Sequence, residues 1–128
     1  MTNVKIFFLI IGLLILGVIS TVLLRSNSTP IGPGQYDAFA ACLADQGAVF
    51  YGTFWCPSCK AQKKLFGSST KLLPYVECST ADSKNQTQIC RDKKIDRYPT
   101  WEFTDDSRLT GMIPLEQLAE KTSCVLPQ

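Results

Sequence analysis

Two cysteines spaced as C-x-x-C are the residues of this chain best suited to chemistry. The motif CPSC at 56–59 follows a short apolar run, 48–51, and precedes a stretch typical of a helix. The free N–H groups and the dipole at a helix N-terminus favour a thiolate, which is the nucleophile of thiol–disulfide exchange. We therefore predict that Cys56 is the attacking thiol and Cys59 the resolving one, with Pro57 in the first helical turn.

A zinc site or a purely structural disulfide is the alternative interpretation of this motif. A zinc ribbon needs a second close pair of cysteines, or histidines, further along the chain. The chain contains no His, and the next cysteines, Cys78 and Cys90, are too far apart to form such a pair. The spacing therefore favours redox chemistry, which requires neither a metal nor an organic cofactor.

The N-terminus carries an uncharged apolar run, 6–24, between Lys5 and Arg25. As a helix it would be about 28 Å long, close to the ~30 Å hydrocarbon core of a bilayer. We predict a membrane anchor at 1–25 that contacts the lipid bilayer; a cleaved signal peptide is the alternative. The flanking charges and the six cysteines then place the rest of a single-pass membrane protein on the extracytoplasmic side.

The small and polar segment 26–35 is predicted to be a flexible tether, and 36–128 one domain with a modest core. Without Lys5 and Arg25, eleven of the thirteen basic residues remain, balancing eleven acidic ones. This balance gives no basic surface for nucleic acid. The lysines at 60, 63 and 64 are interpreted as the solvated face of the active-site helix.

Alternating apolar patterns in the domain predict helices and short strands in turn. The helices are predicted at 36–45, 57–66, 86–94 and 114–122, and the strands at 48–51, 75–77, 100–103 and 108–110. Trp101 and Phe103 are expected on one face of the third strand. This order predicts an α/β fold with a four-stranded mixed sheet and helices on both faces, preceded by the transmembrane helix.

The segment FYGTFWCPSC at 50–59, followed by Tyr98-Pro99-Thr100, resembles a thioredoxin-fold domain. The resemblance covers roughly 36–122 and is closest to the thioredoxin-like domain fused to bacterial homologues of vitamin K epoxide reductase. It includes the FAACLADQGAVFYG and QKKLFG runs and both later cysteine positions. It implies a cis bond before Pro99 and a groove, formed by Trp55, Pro57, Tyr98 and Pro99, that binds extended substrate. Alternatively, Pro99 only starts an edge strand.

The sequence departs from the family at a position that matters for proton transfer. Many thioredoxins carry a buried acid six residues before the first cysteine of the motif, where this chain has Phe50. Between Gly47 and Glu77 there is no acidic residue. Proton transfer to or from Cys59 must then use water, a distant acid or the backbone, which weakens the case for a fast general reductase.

The resembling domain has cysteines at the positions of Cys78 and Cys90, and a disulfide between them is the first choice. Cys42 and Cys124 then pair by elimination, although buried free thiols remain an alternative. A redox relay from the 78–90 pair to the C-x-x-C is a third hypothesis.

Together these features predict a membrane-anchored thiol–disulfide oxidoreductase acting on secreted cysteine-containing proteins. Its direction is predicted to be oxidative, with a quinone-linked membrane partner of the vitamin K epoxide reductase type. The alternatives are an extracytoplasmic reductase or isomerase, a non-catalytic binding module of the same fold, and a copper-transfer protein.

Overall fold

The computed structural model describes residues 2–25 and 34–128, and within the first range it describes the side chains of 4–20. The chain divides into two units. Helix α1, Thr2–Arg25, belongs to the first unit. Apart from its last two residues, the predicted tether 26–35 lies outside the described residues, and the tether remains a prediction.

The predicted transmembrane helix at 6–24 is corrected by the structure. Within the described residues, no helix combines the length and the apolar character that crossing a bilayer requires. The prediction of a single-pass membrane protein depended on this helix and is therefore also wrong.

In its described residues, 34–128, the second unit contains four α-helices, four strands and a 3-10 helix. In chain order these are α2 (Asp37–Asp45), β1 (Val49–Gly52), α3 (Pro57–Leu65), the 3-10 helix (Gly67–Leu72), β2 (Tyr75–Glu77), α4 (Gln88–Asp92), β3 (Thr100–Glu102), β4 (Arg108–Thr110) and α5 (Leu115–Thr122). Every predicted element of the domain is present, with ends within a few residues of the predicted ones. The sequence pattern missed only the 3-10 helix, which is too short to show a clear period.

The four strands form one mixed sheet in the order β2-β1-β3-β4. Strand β1 is parallel to β2 and antiparallel to β3, and β3 is antiparallel to β4. Phe50 of β1 lies between Tyr75 of β2 and Trp101 of β3. This α/β arrangement is the predicted four-stranded mixed sheet, and it fits a thioredoxin-like fold.

The sheet is covered on both faces, as predicted. On one face, Phe50 and Trp101 stack with ring centroids 4.8 Å apart, and the larger core cluster joins them to α2, α3 and α5. On the other face, Tyr51 packs with Cys90 of α4 and with Ile95. Since α3 packs on the larger cluster, the main core directly supports the C-x-x-C motif at its start.

Two disulfides lie outside the C-x-x-C. Cys42–Cys124 joins α2 to the segment after α5, across 82 residues. Cys78–Cys90 joins the residue after β2 to α4, across 12 residues. The second bridge closes the polar loop 79–86. A hydrogen bond of 3.0 Å from Trp55 Nε1 to Ser79 Oγ places this loop beside the start of α3.

Candidate active site

Cys56 occupies the N-cap of α3, and both its backbone and its side chain depend on that position. Its backbone is extended (φ −72°, ψ 121°), and Pro57 begins the helix where no N–H is needed. Cys56 Sγ accepts a hydrogen bond from the backbone N–H of Cys59 over 3.3 Å. A donor aimed at the sulfur stabilises a thiolate more than a thiol, because the bond strengthens when the acceptor is charged.

Cys59 lies behind Cys56 and has no exposed surface. Burial raises the pKa of its thiol to about 12, the hydrogen bond with Cys56 acts in the same direction, and the backbone of Thr53 opposes it. The close approach of β1 explains the burial. A methyl group built on Gly52 would lie 3.0 Å from Cys59 Sγ, so glycine is the residue that leaves room for the sulfur there. Both cysteines are free thiols.

Two large apolar side chains stand in solvent immediately before the motif. Phe54 is 46% exposed and Trp55 is 48% exposed, in a domain whose other aromatic side chains are mostly covered. Trp55 packs edge-on against Tyr98, with ring centroids 6.3 Å apart. Exposed aromatic side chains beside a reactive group are typical of protein-binding surfaces. They form an apolar rim on the motif.

The segment before β3 passes close to the attacking thiol. Cys56 Sγ donates to the carbonyl oxygen of Tyr98 over 3.8 Å, and the Tyr98–Pro99 bond is cis, as the resemblance implies. The Tyr98 hydroxyl accepts from Nε2 of Gln86 over 2.6 Å. The structure therefore brings Trp55 and Tyr98 together around Cys56, while Pro57 is exposed at the helix start and Pro99 is buried behind Tyr98.

A cavity of about 210 Å³ lies on the Trp55 and Tyr98 side of the motif, against the disulfide-closed loop. Its lining includes Thr53, whose buried hydroxyl has no hydrogen-bond partner, and Gln86. The cavity shares Trp55 and Tyr98 with the predicted binding groove.

The interpretation of all three lysines of α3 as a solvated face is wrong for Lys63. Lys60 and Lys64 are exposed, but Lys63 is half-buried, with Nζ 3.3 Å from the centroid of the Tyr75 ring. The Tyr75 hydroxyl in turn donates to Glu77 Oε2 over 2.7 Å. The sequence interpretation missed this Lys63–Tyr75–Glu77 group. One signal was present, because Lys63 is four residues after Cys59 and shares its helix face.

This arrangement fits dithiol–disulfide exchange. One thiol caps a helix at an apolar rim, a second thiol is buried within the same turn, and an adjacent backbone carbonyl borders the first. A buried thiol with a raised pKa is a poor external nucleophile but can attack a neighbouring disulfide or leave it.

Comparison with known proteins agrees with this chemistry. Over 95 residues, which are 71% of this chain, it is 43% identical to an Arabidopsis thaliana protein named Thiol-disulfide oxidoreductase LTO1. The chain spans about a quarter (25%) of that relative's length. No family model matches the sequence. The similarity supports a disulfide oxidoreductase.

Proposed function

We propose that this chain exchanges disulfides with cysteine-containing proteins through Cys56 and Cys59. One observation carries the proposal: Cys56 Sγ sits at the start of α3 with the Cys59 N–H aimed at it, beside two half-exposed aromatic rings. An attacking thiol needs stabilised negative charge and access to a partner, and a resolving thiol needs to be close and protected. Cys56 is 6% exposed and Cys59 has no exposed surface, so Cys56 is the more accessible of the two and Cys59 the protected one.

In the oxidative direction, a substrate thiolate attacks Cys56 of the Cys56–Cys59 disulfide. A bond forms between the substrate sulfur and Cys56, the Cys56–Cys59 bond breaks, and Cys59 leaves with the electron pair. A second substrate thiolate then attacks the substrate sulfur, and Cys56 leaves. The substrate loses two electrons and two protons, and the chain ends as the dithiol. The reductive direction reverses each step.

The substrate segment is proposed to lie in extended form along Tyr98, next to Cys56. The Tyr98 carbonyl is 3.8 Å from Cys56 Sγ, so a strand paired with this backbone would hold its own cysteine against the attacking sulfur. Trp55 and Phe54 supply apolar contact that does not depend on one substrate sequence. This mode suits unfolded or partly folded proteins.

The net direction is proposed to be oxidation, with a separate quinone-linked protein of the vitamin K epoxide reductase type as the partner that restores the disulfide. The resemblance to the domain fused to such enzymes supports the partner. Phe50 at the position of the usual buried acid supports the direction, because a general reductase must deprotonate its resolving thiol quickly.

Trapping of the covalent intermediate tests the roles of the two thiols. We expect Cys59→Ser whose Cys56 first carries a small thiol in a disulfide to exchange that thiol, as the leaving group, for a cysteine of a reduced, unfolded protein and to accumulate the mixed disulfide. Cys56→Ser treated in the same way should accumulate none. Non-reducing gels with mass spectrometry measure both. Equal trapping by the two variants would refute the assignment. Absence of exchange by the unaltered chain would favour a non-catalytic binding module.

The reduction potential tests the direction. Equilibration of the Cys56–Cys59 pair with glutathione should give a value nearer the about −180 mV of protein disulfide isomerase than the about −270 mV of thioredoxin. A purified quinone-loaded enzyme of the vitamin K epoxide reductase type should reoxidise the reduced chain. A thioredoxin-like value without reoxidation would instead indicate a reductase.

A further inference from the structure

We propose that Lys63 delivers the proton that Cys59 takes up when it leaves the Cys56–Cys59 disulfide. The inference rests on the proposed function and deepens it. The sequence has no acid at position 50 that could transfer this proton. A lysine of α3, held by two side chains of β2, takes that role.

The helix geometry places Lys63 over Cys59. Residues four apart on an α-helix are neighbours on one face, and Cys59 and Lys63 have this spacing in α3. That face turns toward the sheet, because Cys59 has no exposed surface and Lys63 is half-buried. The lysine therefore reaches toward the interior, unlike its exposed neighbour Lys64.

Side chains of β2 hold the lysine in place. The ammonium group lies 3.3 Å from the centroid of Tyr75, at a distance typical of a cation–π contact. The Tyr75 hydroxyl donates to Glu77 Oε2, and Glu77 Oε1 accepts from the backbone N–H of Phe54 and of Ser79 over 3.3 and 2.9 Å. The carboxylate is thus anchored by the loop that leads to the motif, through Phe54, and by the chain just after β2, through Ser79.

This group is contiguous with the resolving sulfur. A methyl group built on Gly52 would lie 3.0 Å from Cys59 Sγ and 3.1 Å from Cε2 of Tyr75, so both pack against the same point of β1. The titratable groups that face one another here are Cys56, Cys59 and Lys63 of the helix, with Tyr75 and Glu77 of the strand.

The acid–base order favours transfer from nitrogen to sulfur. Burial lowers the pKa of Lys63 below its usual 10.5, while charges on Glu77 and Cys59 act against that shift. Burial raises the pKa of Cys59 to about 12. A proton therefore moves downhill from the ammonium group to the Cys59 thiolate. The pKa of Tyr75 is also raised, by burial and by its bond to Glu77, so Tyr75 keeps its proton.

Proton transfer from Lys63 completes the cleavage of the Cys56–Cys59 bond. The substrate thiolate attacks Cys56, the Cys56–Cys59 bond breaks, and its electron pair goes to Cys59 Sγ. The Lys63 ammonium transfers one proton to that sulfur and becomes a neutral amine. The amine then takes a proton from water, so the lysine is restored and the only redox change is in the two sulfur pairs.

Substitution of Lys63 tests the proposal in the full chain. Lys63→Met removes the ammonium group that donates the proton, and Lys63→Gln is a second neutral variant. Lys64→Met is the matched control on the same helix. The readout is the single-turnover rate at which the oxidised chain oxidises a dithiol peptide, from pH 6 to 10. Dividing each rate by that of Lys64→Met at the same pH cancels the ionisation of the peptide thiols.

We expect the neutral variants to be at least about tenfold slower than Lys64→Met at pH 7, a modest share of typical acid–base catalysis. The deficit should shrink as pH rises through the pKa of Lys63, where the lysine of the unaltered chain also loses its proton. Equal rates for Lys63→Met and Lys64→Met, or a deficit independent of pH, would overturn proton delivery.

Lys63→Arg distinguishes proton donation by residue 63 from the effect of its positive charge. Arginine keeps a positive charge but does not give up its proton in proteins. We expect this variant to be as slow as Lys63→Met; full recovery would show that charge alone matters and would overturn the inference. Urea unfolding verifies that each variant is folded. If the unaltered chain and Lys64→Met oxidise no peptide, the proposed function itself fails.

Discussion

Cys56 and Cys59 belong to the same helical turn, yet their surroundings differ. Cys56 retains a small exposed fraction at the apolar rim and accepts an N–H hydrogen bond, while Cys59 has no exposed surface. Burial penalises a thiolate because the charged form loses its hydration. Two thiols with the same chemistry therefore take different roles through their environment.

Alkylation of the reduced chain should show this difference. With a pKa of about 12, only about one Cys59 in ten thousand is a thiolate at pH 8, and the sulfur is also shielded. Iodoacetamide at pH 8 should modify Cys56 well before Cys59, as followed by peptide mapping. In urea the two rates should become similar. Faster modification of Cys59 in the folded chain would contradict the assignment.

At the scale of elements, a buried glutamine fastens α3 to the chain before α5. Gln62 has no exposed surface; its Nε2 donates to the carbonyl of Ile113 over 3.0 Å, and its Oε1 accepts from the Ile113 N–H over 2.6 Å. These two bonds satisfy a backbone segment that belongs to no strand or helix. The position of the active-site helix depends on them.

Gln62→Leu should therefore destabilise the domain. It leaves the N–H and the carbonyl of Ile113 buried without partners, which costs about 2–6 kcal/mol at ~1–3 kcal/mol for each group. Urea unfolding measures the loss, with Gln117→Leu on the exposed side of α5 as the control. A loss below about 1 kcal/mol would mean that water or a rearranged loop satisfies Ile113.

Strand β3 carries a buried charge that its neighbours compensate. Glu102 is bound by Lys93 Nζ over 2.7 Å and by Arg108 Nη2 over 2.6 Å. Burial acts to raise the pKa of Glu102, but the hydrogen bonds from Lys93 and Arg108 outweigh burial and hold the pKa below its usual 4.5. The bridges join β3 to β4 and to the chain after α4.

This carboxylate should make stability depend on pH in a definite direction. Because the folded pKa is below the unfolded one, its contribution is present above about pH 4.5 and is lost as pH falls through the folded pKa. Glu102→Gln should cost about 1–3 kcal/mol at pH 7. The difference from the unaltered chain should shrink below pH 4. A difference that grows in acid would contradict the sign.

At the scale of the whole molecule, the two disulfides constrain loops of different length. Cys42–Cys124 closes a loop of 82 residues, which is most of the domain, whereas Cys78–Cys90 closes a loop of 12. In the chain-entropy model the two contribute about 4.5 and about 2.8 kcal/mol. The long bridge therefore bears on global stability, and the short one on the loop beside the motif.

Removal of each bridge should separate these effects. Replacing Cys42 and Cys124 together by Ala should lower the free energy of unfolding by about 1.7 kcal/mol more than replacing Cys78 and Cys90 together. The second double variant should slow peptide oxidation more, because the 79–86 loop lines the cavity beside Trp55. Denaturant unfolding measures the stability of the two double variants, and peptide-oxidation rates measure their exchange activity. The reverse order of stabilities would refute the loop argument.

Local pattern was enough to predict the strands, the helices and the C-x-x-C at a helix start. Side-chain period, helix-ending glycines and Pro57 act over a few residues, so the sequence alone shows them. The prediction from local pattern was wrong at 6–24. An apolar run there predicted a membrane span, but no helix among the described residues is long and apolar enough to cross a bilayer.

Contacts between distant segments could be found only in the tertiary structure. The sequence has Phe at position 50 and no acid between Gly47 and Glu77. Folding brings Tyr75 and Glu77 of β2 to Lys63 and Cys59 of α3. Gln62 and Glu102 look like ordinary surface residues in the sequence but are buried with partners 51 and 6–9 residues away. Packing decides such partners, because it depends on which segments meet, and no local period records that.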